Sequence, residues 1–370
     1  MSLNEEEEEE DMICDLPSDR QIAHPGASQK PNLLKQALKR GLPPHPVSST
    51  SKGLPKRDFA PIEWSEFFDE KREINIGEDI FNVYLKGKTG PIFYFLHGGG
   101  YSGLTWACLT KELTHLVDCR ILAPDLRGHG DSKCADEHDL STATQVRDIA
   151  NIYKAFFGEN DHQDVCVVGH SMGGALAIHA VSGKAIPANI VGLVVIDVVE
   201  GSAMEALGGM VHFLHSRPSS FESVEKAIKW CLSSGTVRNA KSARVSMPSQ
   251  IRAVSENEYA WRIELADTEP YWKGWFEGLS AKFLMCTAPK LLALAGVDRL
   301  DRELTIGQMQ GKFQTCVLPK VGHCVHEDSP DRLADELARF ATRYRFARAT
   351  PAFLTASPTH RPPIPGGFVL

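Results

Sequence analysis

The stretch VCVVGHSMGGALAIHA, Val165–Ala180, decides the fold. It opens as a short apolar strand, turns at Gly169-His170-Ser171-Met172-Gly173, and continues as a helix of small and aliphatic residues. Strand, G-x-S-x-G and helix in succession make the pattern of a nucleophile elbow. Side chains two residues before and two after the serine would collide across so sharp a turn. Both positions are therefore glycine, and Gly174 lets the helix sit close. Ser171 is expected in strained backbone with its hydroxyl pushed outward. The helix start aims free N–H groups and a partial positive charge at whatever that hydroxyl attacks.

Outward from the elbow, PIFYFLHGGG, RILAPDLRGHG, GLVVIDVVEG, KLLALAGVD and QTCVLPKVGH each begin as a short apolar run and end in Gly, His or Asp. Near-continuous apolar strands are buried on both faces, which requires a parallel sheet covered by helices. REINI and DIFNVYLKG alternate apolar and polar residues, as hairpin strands do. Helical patterns lie at Ser102–Val117, Ala143–Phe157, Met172–Ser182 and Pro330–Arg348. The last has Asp328 or Ser329 as N-cap and a proline in its first turn. The alternation predicts a doubly wound α/β architecture whose sites lie at the carboxyl ends of the strands. About ninety residues separate the strand ending at Asp197 from the one starting near Lys290. They read as helices and predict a helical cap, about 201–288, inserted before the penultimate strand. The cap holds Trp230, Trp261, Trp272 and Trp275, four of the chain's 6 tryptophans, expected mostly to fill a small core of its own.

Composition narrows the classes. The formal net charge is −7, but Glu5–Glu10 and Asp11 account for it: without them 40 acidic residues face 40 Lys and Arg. A neutral body gives no electrostatic case for nucleic acid or membrane surfaces. No run of 18 apolar residues exists to span a bilayer. The glutamate-rich start is unlike a signal peptide. The 9 cysteines include no C-x-x-C pair and no even framework, which predicts free thiols in a reducing compartment, cytoplasm or nucleus. Residues 1–57 join the acidic run to a Pro- and Ser-punctuated basic stretch and predict a disordered arm. Residues 349–370, rich in Pro and Gly, predict a loose tail.

An activated serine needs a base, an orienting acid and an oxyanion hole. His323, ending the last strand in LPKVGHCVHED, is the candidate base. His326 reads as a surface or supporting residue, and His170 as pointing to the wrong side of the elbow. Two carboxylates compete for the third position, Asp197 and Asp298; both give the chain order Ser, Asp, His of an α/β-hydrolase. Strand-end position alone does not choose, although the usual pattern of that fold favours Asp298. His97-Gly98-Gly99-Gly100 matches the HGGG type of oxyanion loop, with Gly98 or Gly99 supplying one N–H and Met172 the other. No metal or nucleotide motif is present, and no cofactor is implied.

With these residues assembled, the chain resembles the protein phosphatase methylesterase family. The resemblance runs from about Lys56 to Arg348 through KRDFAPIEWSEFF, FLHGGGYSGLTWA, DLRGHGDSK, GHSMGGALAIHA, IDVVEGSAMEAL, RPSSFESVEKAIKW, RNAKSARVSMPSQ, YAWRIELADTEPYWKGWFEGLS, KLLALAGVDRLDRELTIGQMQGKFQ and VGHCVHEDSPDRLADELARF. The cap segments among these make it specific, because caps are where hydrolases of this fold diverge. The resemblance implies removal of the methyl ester from the carboxyl-terminal leucine of the catalytic subunit of protein phosphatase 2A, which would be both substrate and partner of an otherwise monomeric enzyme. It implies Ser171 as nucleophile, His323 as base and, through IDVVEG, Asp197 as acid, with Asp298 left to a structural role. Tyr101 and Trp106 are expected to wall the peptide channel. The chain departs from relatives in residues 1–55, in a short Ile251–Glu258 where some carry a long polar insert, and after Ala349. Two other readings are a small-molecule carboxylesterase or lipase, and a protein that sequesters the phosphatase. A site serving one protein tail is also open to completion only on docking.

Overall fold

The computed structural model describes residues 58–296 and 300–355; the arm, Asp298 and the tail beyond 355 lie outside it. Eight strands form the central sheet: β1 (Glu70–Ile76), β2 (Asp79–Lys86), β3 (Ile92–Leu96), β4 (Arg120–Pro124), β5 (Asp164–His170), β6 (Asn189–Ile196), β7 (Lys290–Leu294) and β8 (Gln314–Val317). Their spatial order is β1-β2-β4-β3-β5-β6-β7-β8. From β4 to β8 every pairing is parallel, and β2 alone runs against the rest. The hairpin β1–β2 closes at Gly77-Glu78, with Gly77 at φ 62°.

Alternation along the buried strands builds two cores. Ile92, Tyr94 and Leu96 of β3 and Val165 and Val167 of β5 face one side, with helices α2 (Thr142–Phe157) and α3 (Met172–Ser182). Phe93 and Phe95, Cys166 and Val168, and Val194 and Ile196 face the other. There helix α1 (Ala107–Leu116), preceded by a short 3-10 turn at Gly103–Trp106, lies beside α4 (Pro330–Arg343). Each face thus buries a run of large side chains at about 25 cal/mol per Å² of apolar area, and the strand ends are left as the place where polar loops gather.

The insert between β6 and β7 is not wholly helical. It contains helices Glu200–His215, Val224–Ser234, Ala240–Ser246, Glu269–Phe276 and Leu279–Met285, but also a three-stranded antiparallel sheet of Ser220–Phe221, Glu258–Trp261 and Ile251–Ser255. The segment Ile251–Glu258 is therefore a hairpin strand and its turn. Its short strands were masked in sequence by neighbouring helical patterns. The tryptophans divide as well. Trp230 and Trp261 belong to the cap's own core, whereas Trp272 and Trp275 are buried in the main core, where Trp275 Nε1 donates to Leu140 O at 2.8 Å.

The folded body continues past residue 348, where the sequence suggested a loose tail. Arg348–Ala349 pairs antiparallel with Val117–Asp118, and a turn of helix follows at Pro351–Thr355. Thr350 Oγ1 donates to His115 O at 2.7 Å and Phe353 packs on the core beside α1, so backbone pairing and apolar burial override the Pro-rich composition there.

Candidate active site

Ser171 sits between β5 and α3 at φ 52° and ψ −120°, a conformation costing a non-glycine residue about 1–3 kcal/mol. The surrounding backbone enforces it. A Cβ on Gly169 would lie 2.1 Å from Gly173 O, and one on Gly173 would lie 2.2 Å from Leu96 O and 2.4 Å from His97 O. Ser171 N–H donates to Ile196 O at 3.1 Å, which ties the elbow to the end of β6.

The residue that follows β6 is Asp197, itself at φ 52° and 3% exposed. Its Oδ1 accepts from Ala295 N–H at 3.0 Å and its Oδ2 from His323 Nδ1 at 2.8 Å. Because the carboxylate accepts, Nδ1 carries the proton and Nε2 of a neutral His323 is left with its lone pair, the form that takes a proton. Asp298 lies outside the described residues. No hydrogen bond joins Ser171 Oγ to His323 among the described residues.

The HGGG loop lies against the elbow. A Cβ on Gly98 would meet His170 Nδ1 at 2.9 Å and Ser171 Cβ at 3.3 Å; one on Gly99 would meet Leu265 Cδ2 at 3.3 Å and Met172 Sδ at 3.8 Å. The backbone of Gly98 and Gly99 can therefore stand beside the serine only because they lack side chains, and Leu265 brings the cap down over the loop. The N–H groups of Gly98, Gly99 and Met172 have no hydrogen-bond partner among the described residues.

Two histidines hold this loop; the sequence marked His97 only as the first residue of the HGGG motif and gave His129 no role. Leu126 N–H donates to His97 Nε2 at 2.9 Å, while His97 Nδ1–H donates to Gly98 O at 2.8 Å. Gly100 N–H donates to His129 Nε2 at 2.9 Å, while His129 Nδ1–H donates to Arg127 O at 2.7 Å. Burial keeps both rings neutral: it pulls His97 well below the usual range and His129 down to about 4. His129 and Arg127 belong to DLRGHGDSK, whose strand-end position was the available signal. In the same loop Asp125 accepts from Gly103 N–H at 2.7 Å, Asp131 N–H at 2.8 Å and Asn82 Nδ2 at 2.8 Å. Arg127 forks onto Asp148 at 2.7 and 2.9 Å and reaches Asp79 at 2.6 Å.

Two sequence expectations need correction, and a third is narrowed. His170 does not point away: it is fully buried, its Nε2–H donates to His323 O at 3.0 Å, and the two rings lie 4.7 Å apart. Burial first, and His323 second, push it down to about 3, so it stays neutral. Of the two readings of His326, surface or supporting, the buried position fits the second: it is bonded through Nε2 to Thr105 Oγ1 at 2.8 Å, and its ring lies 4.3 Å from that of Trp106 and 4.4 Å from that of His170. Trp106 is likewise fully buried, against Phe95 and His326, and walls no channel, whereas Tyr101 is a half-buried residue whose hydroxyl meets Cys324 Sγ at 2.8 Å. In each case the short α1 entry turn and the loop after His323 converge beneath the elbow, a long-range contact that local pattern does not reveal.

Comparison with known proteins places this geometry. Residues 93–336 match the model of the Alpha/beta hydrolase family. The probable protein phosphatase methylesterase 1 of Caenorhabditis elegans is 66% identical over 349 residues, covering 94% of this chain and 95% of that protein. The chain belongs to the protein phosphatase methylesterase family. Protein phosphatase methylesterase 1 of Bos taurus is 45% identical over 344 residues, 80% of this chain and 90% of its own. Among solved structures, E-2-(acetamidomethylene)succinate hydrolase superposes with a TM-score of 0.60 at 22% identity, over 74% of this chain and 99% of that one, a likeness of fold alone. This methylesterase is a carboxylic ester hydrolase built on the α/β-hydrolase fold. The nematode alignment also corrects one expectation. A span of 94% of the chain cannot leave out all of residues 1–55, so the arm is shared with that relative at least in part.

Proposed function

We propose that the chain removes the methyl ester from the carboxyl-terminal leucine of the catalytic subunit of protein phosphatase 2A, with Ser171 as nucleophile, His323 as general base and Asp197 as the acid that orients it. The observation that carries this reading is the 2.8 Å bond from His323 Nδ1 to Asp197 Oδ2, next to a serine held in elbow geometry in a member of this family.

His323 Nε2 takes the Ser171 proton as Oγ attacks the ester carbonyl. Charge gathers on the carbonyl oxygen, where the N–H of Met172 and that of Gly98 or Gly99 receive it; one such donor is worth about 3 kcal/mol of barrier. Collapse expels methoxide, which leaves as methanol with the proton from His323. The tail is then an ester of Ser171. Water gives a proton to His323 and attacks the same carbonyl; collapse frees the carboxylate and expels Ser171 Oγ, which takes that proton back from His323. Asp197 keeps Nδ1 protonated throughout and stabilises the imidazolium.

The test is methanol release from carboxymethylated phosphatase catalytic subunit. Ser171→Ala should abolish it while leaving phosphatase binding intact. Equal turnover by variant and parent would overturn the assignment. Rapid turnover of short-chain fatty esters with none of the phosphatase would favour a small-molecule esterase instead.

A further inference from the structure

Arg217 follows the cap helix Glu200–His215 and opens the RPSSF segment. Its guanidinium lies 4.4 Å from the centroid of the Trp261 ring. Trp261 is itself fixed: Nε1–H donates to Pro218 O at 2.7 Å, and Phe221 and Trp230 meet it edge-on at 5.4 and 5.5 Å. Arg217 Nε–H reaches Leu214 O at 3.4 Å, and neither Nη has a hydrogen-bond partner or a paired carboxylate among the described residues. Other arginines of the body differ. Arg127, Arg244 and Arg262 each hold a carboxylate.

The position adjoins the loop that carries the base: Trp261, under the guanidinium, packs on the same apolar cluster as Tyr101 and Cys324. Glu264 and Tyr101 are the groups whose charges act on Arg217, while burial is the larger influence and pulls it below its ordinary value. Tyr101 meets Cys324, the neighbour of His323, and its ring lies 5.7 Å from that of His170. Glu264 is spent on capping Ala266 N–H at 3.3 Å and precedes Leu265, which covers Gly99. A flat guanidinium stacked on an aromatic face, half-buried and with its outer N–H groups unused, is a prepared fork for a carboxylate.

We propose that Arg217 is a specificity-determining residue that binds an acidic side chain of the substrate tail, upstream of the methyl-esterified carboxyl terminus. This rests on the esterase reading above, which makes a polypeptide tail the substrate. The ester carbonyl already has donors at Met172 and Gly98 or Gly99, so the guanidinium is left for a second carboxylate.

The test uses peptides ending in leucine methyl ester, with Asp or Asn placed in turn at each of the preceding positions. The reading is the ratio of kcat/KM for the Asp and Asn members of each pair, which cancels any loss of folded enzyme. At low salt the parent should favour Asp at one position by about tenfold or more, the size of one charge-assisted hydrogen bond, mostly through KM. Arg217→Lys should keep part of that ratio, Arg217→Gln should bring it to about one, and Arg217→Glu should invert it. A parent with no Asp preference at any position, or an Arg217→Gln enzyme with the parent's preference, would overturn the inference alone. Methanol from none of the peptides would overturn the esterase reading and this inference with it.

Discussion

Asp197 was one of two carboxylates at strand ends, and local sequence had no means of separating it from Asp298. What favours Asp197 in the proposed triad is a contact 126 positions along the chain, the bond to His323 Nδ1. Asp197→Asn would favour the wrong tautomer of His323 without moving it, so kcat should fall by about 10⁴-fold with little change in KM. Asp298→Asn should lose far less; the reverse order would move the acid to Asp298. The elbow position of Ser171 and the place of His323 beside Asp197 were legible because motif and strand end coincide at each. His97 and His129 were not, because their partners are backbone groups of other loops. A second residue carries a pH dependence. Glu327 is fully buried below the base loop, and burial raises its carboxyl from 4.5 to about 8. Its folded value lies above the unfolded one, so the stability it contributes is complete below about pH 4.5 and is lost as pH rises through about 8. Glu327→Gln should therefore gain on the parent progressively across that window, by on the order of a few kcal/mol at pH 9, in denaturant midpoints measured against pH. A pH-independent difference would show that Glu327 is not the titrating group.

At the scale of elements, the elbow depends on backbone passing where a methyl group cannot fit. Gly173→Ala forces its Cβ onto the carbonyls of Leu96 and His97, so strand β3 or helix α3 must shift. The expected result is a loss of about 3 kcal/mol or more and little soluble protein; near-parental melting would contradict this geometry. The strands and α2, α3 and α4 were legible because long apolar runs and 3.6-residue periods are local signals. The cap's three-stranded sheet was not. Two of its strands are only four residues or shorter, and Ser220–Phe221 acquires its identity from pairing with Tyr259 and Ala260.

For the molecule as a whole, two cores on either face of one sheet hold the strand ends in register, and the cap closes over them through Leu265, Trp272 and Trp275. Composition suggested that the body ended near 348, but Arg348–Thr355 is stitched to Val117 and α1 by pairing that only the folded chain brings within reach. Removing residues 350–370 should lower the melting temperature by about 2–5 °C while leaving kcat near the parental value, since the described part, Thr350–Thr355, packs through Phe353 on the face away from Ser171's helix. The central claim is that one serine, one histidine and Asp197 together hydrolyse a methylated protein terminus. Its most direct measurement is methanol released from carboxymethylated phosphatase catalytic subunit by the parent, Ser171→Ala and Asp197→Asn enzymes side by side. The account predicts a stoichiometric release by the parent, none above background with Ser171→Ala, and a rate reduced by about 10⁴-fold with Asp197→Asn. Parental rates from either variant would contradict it.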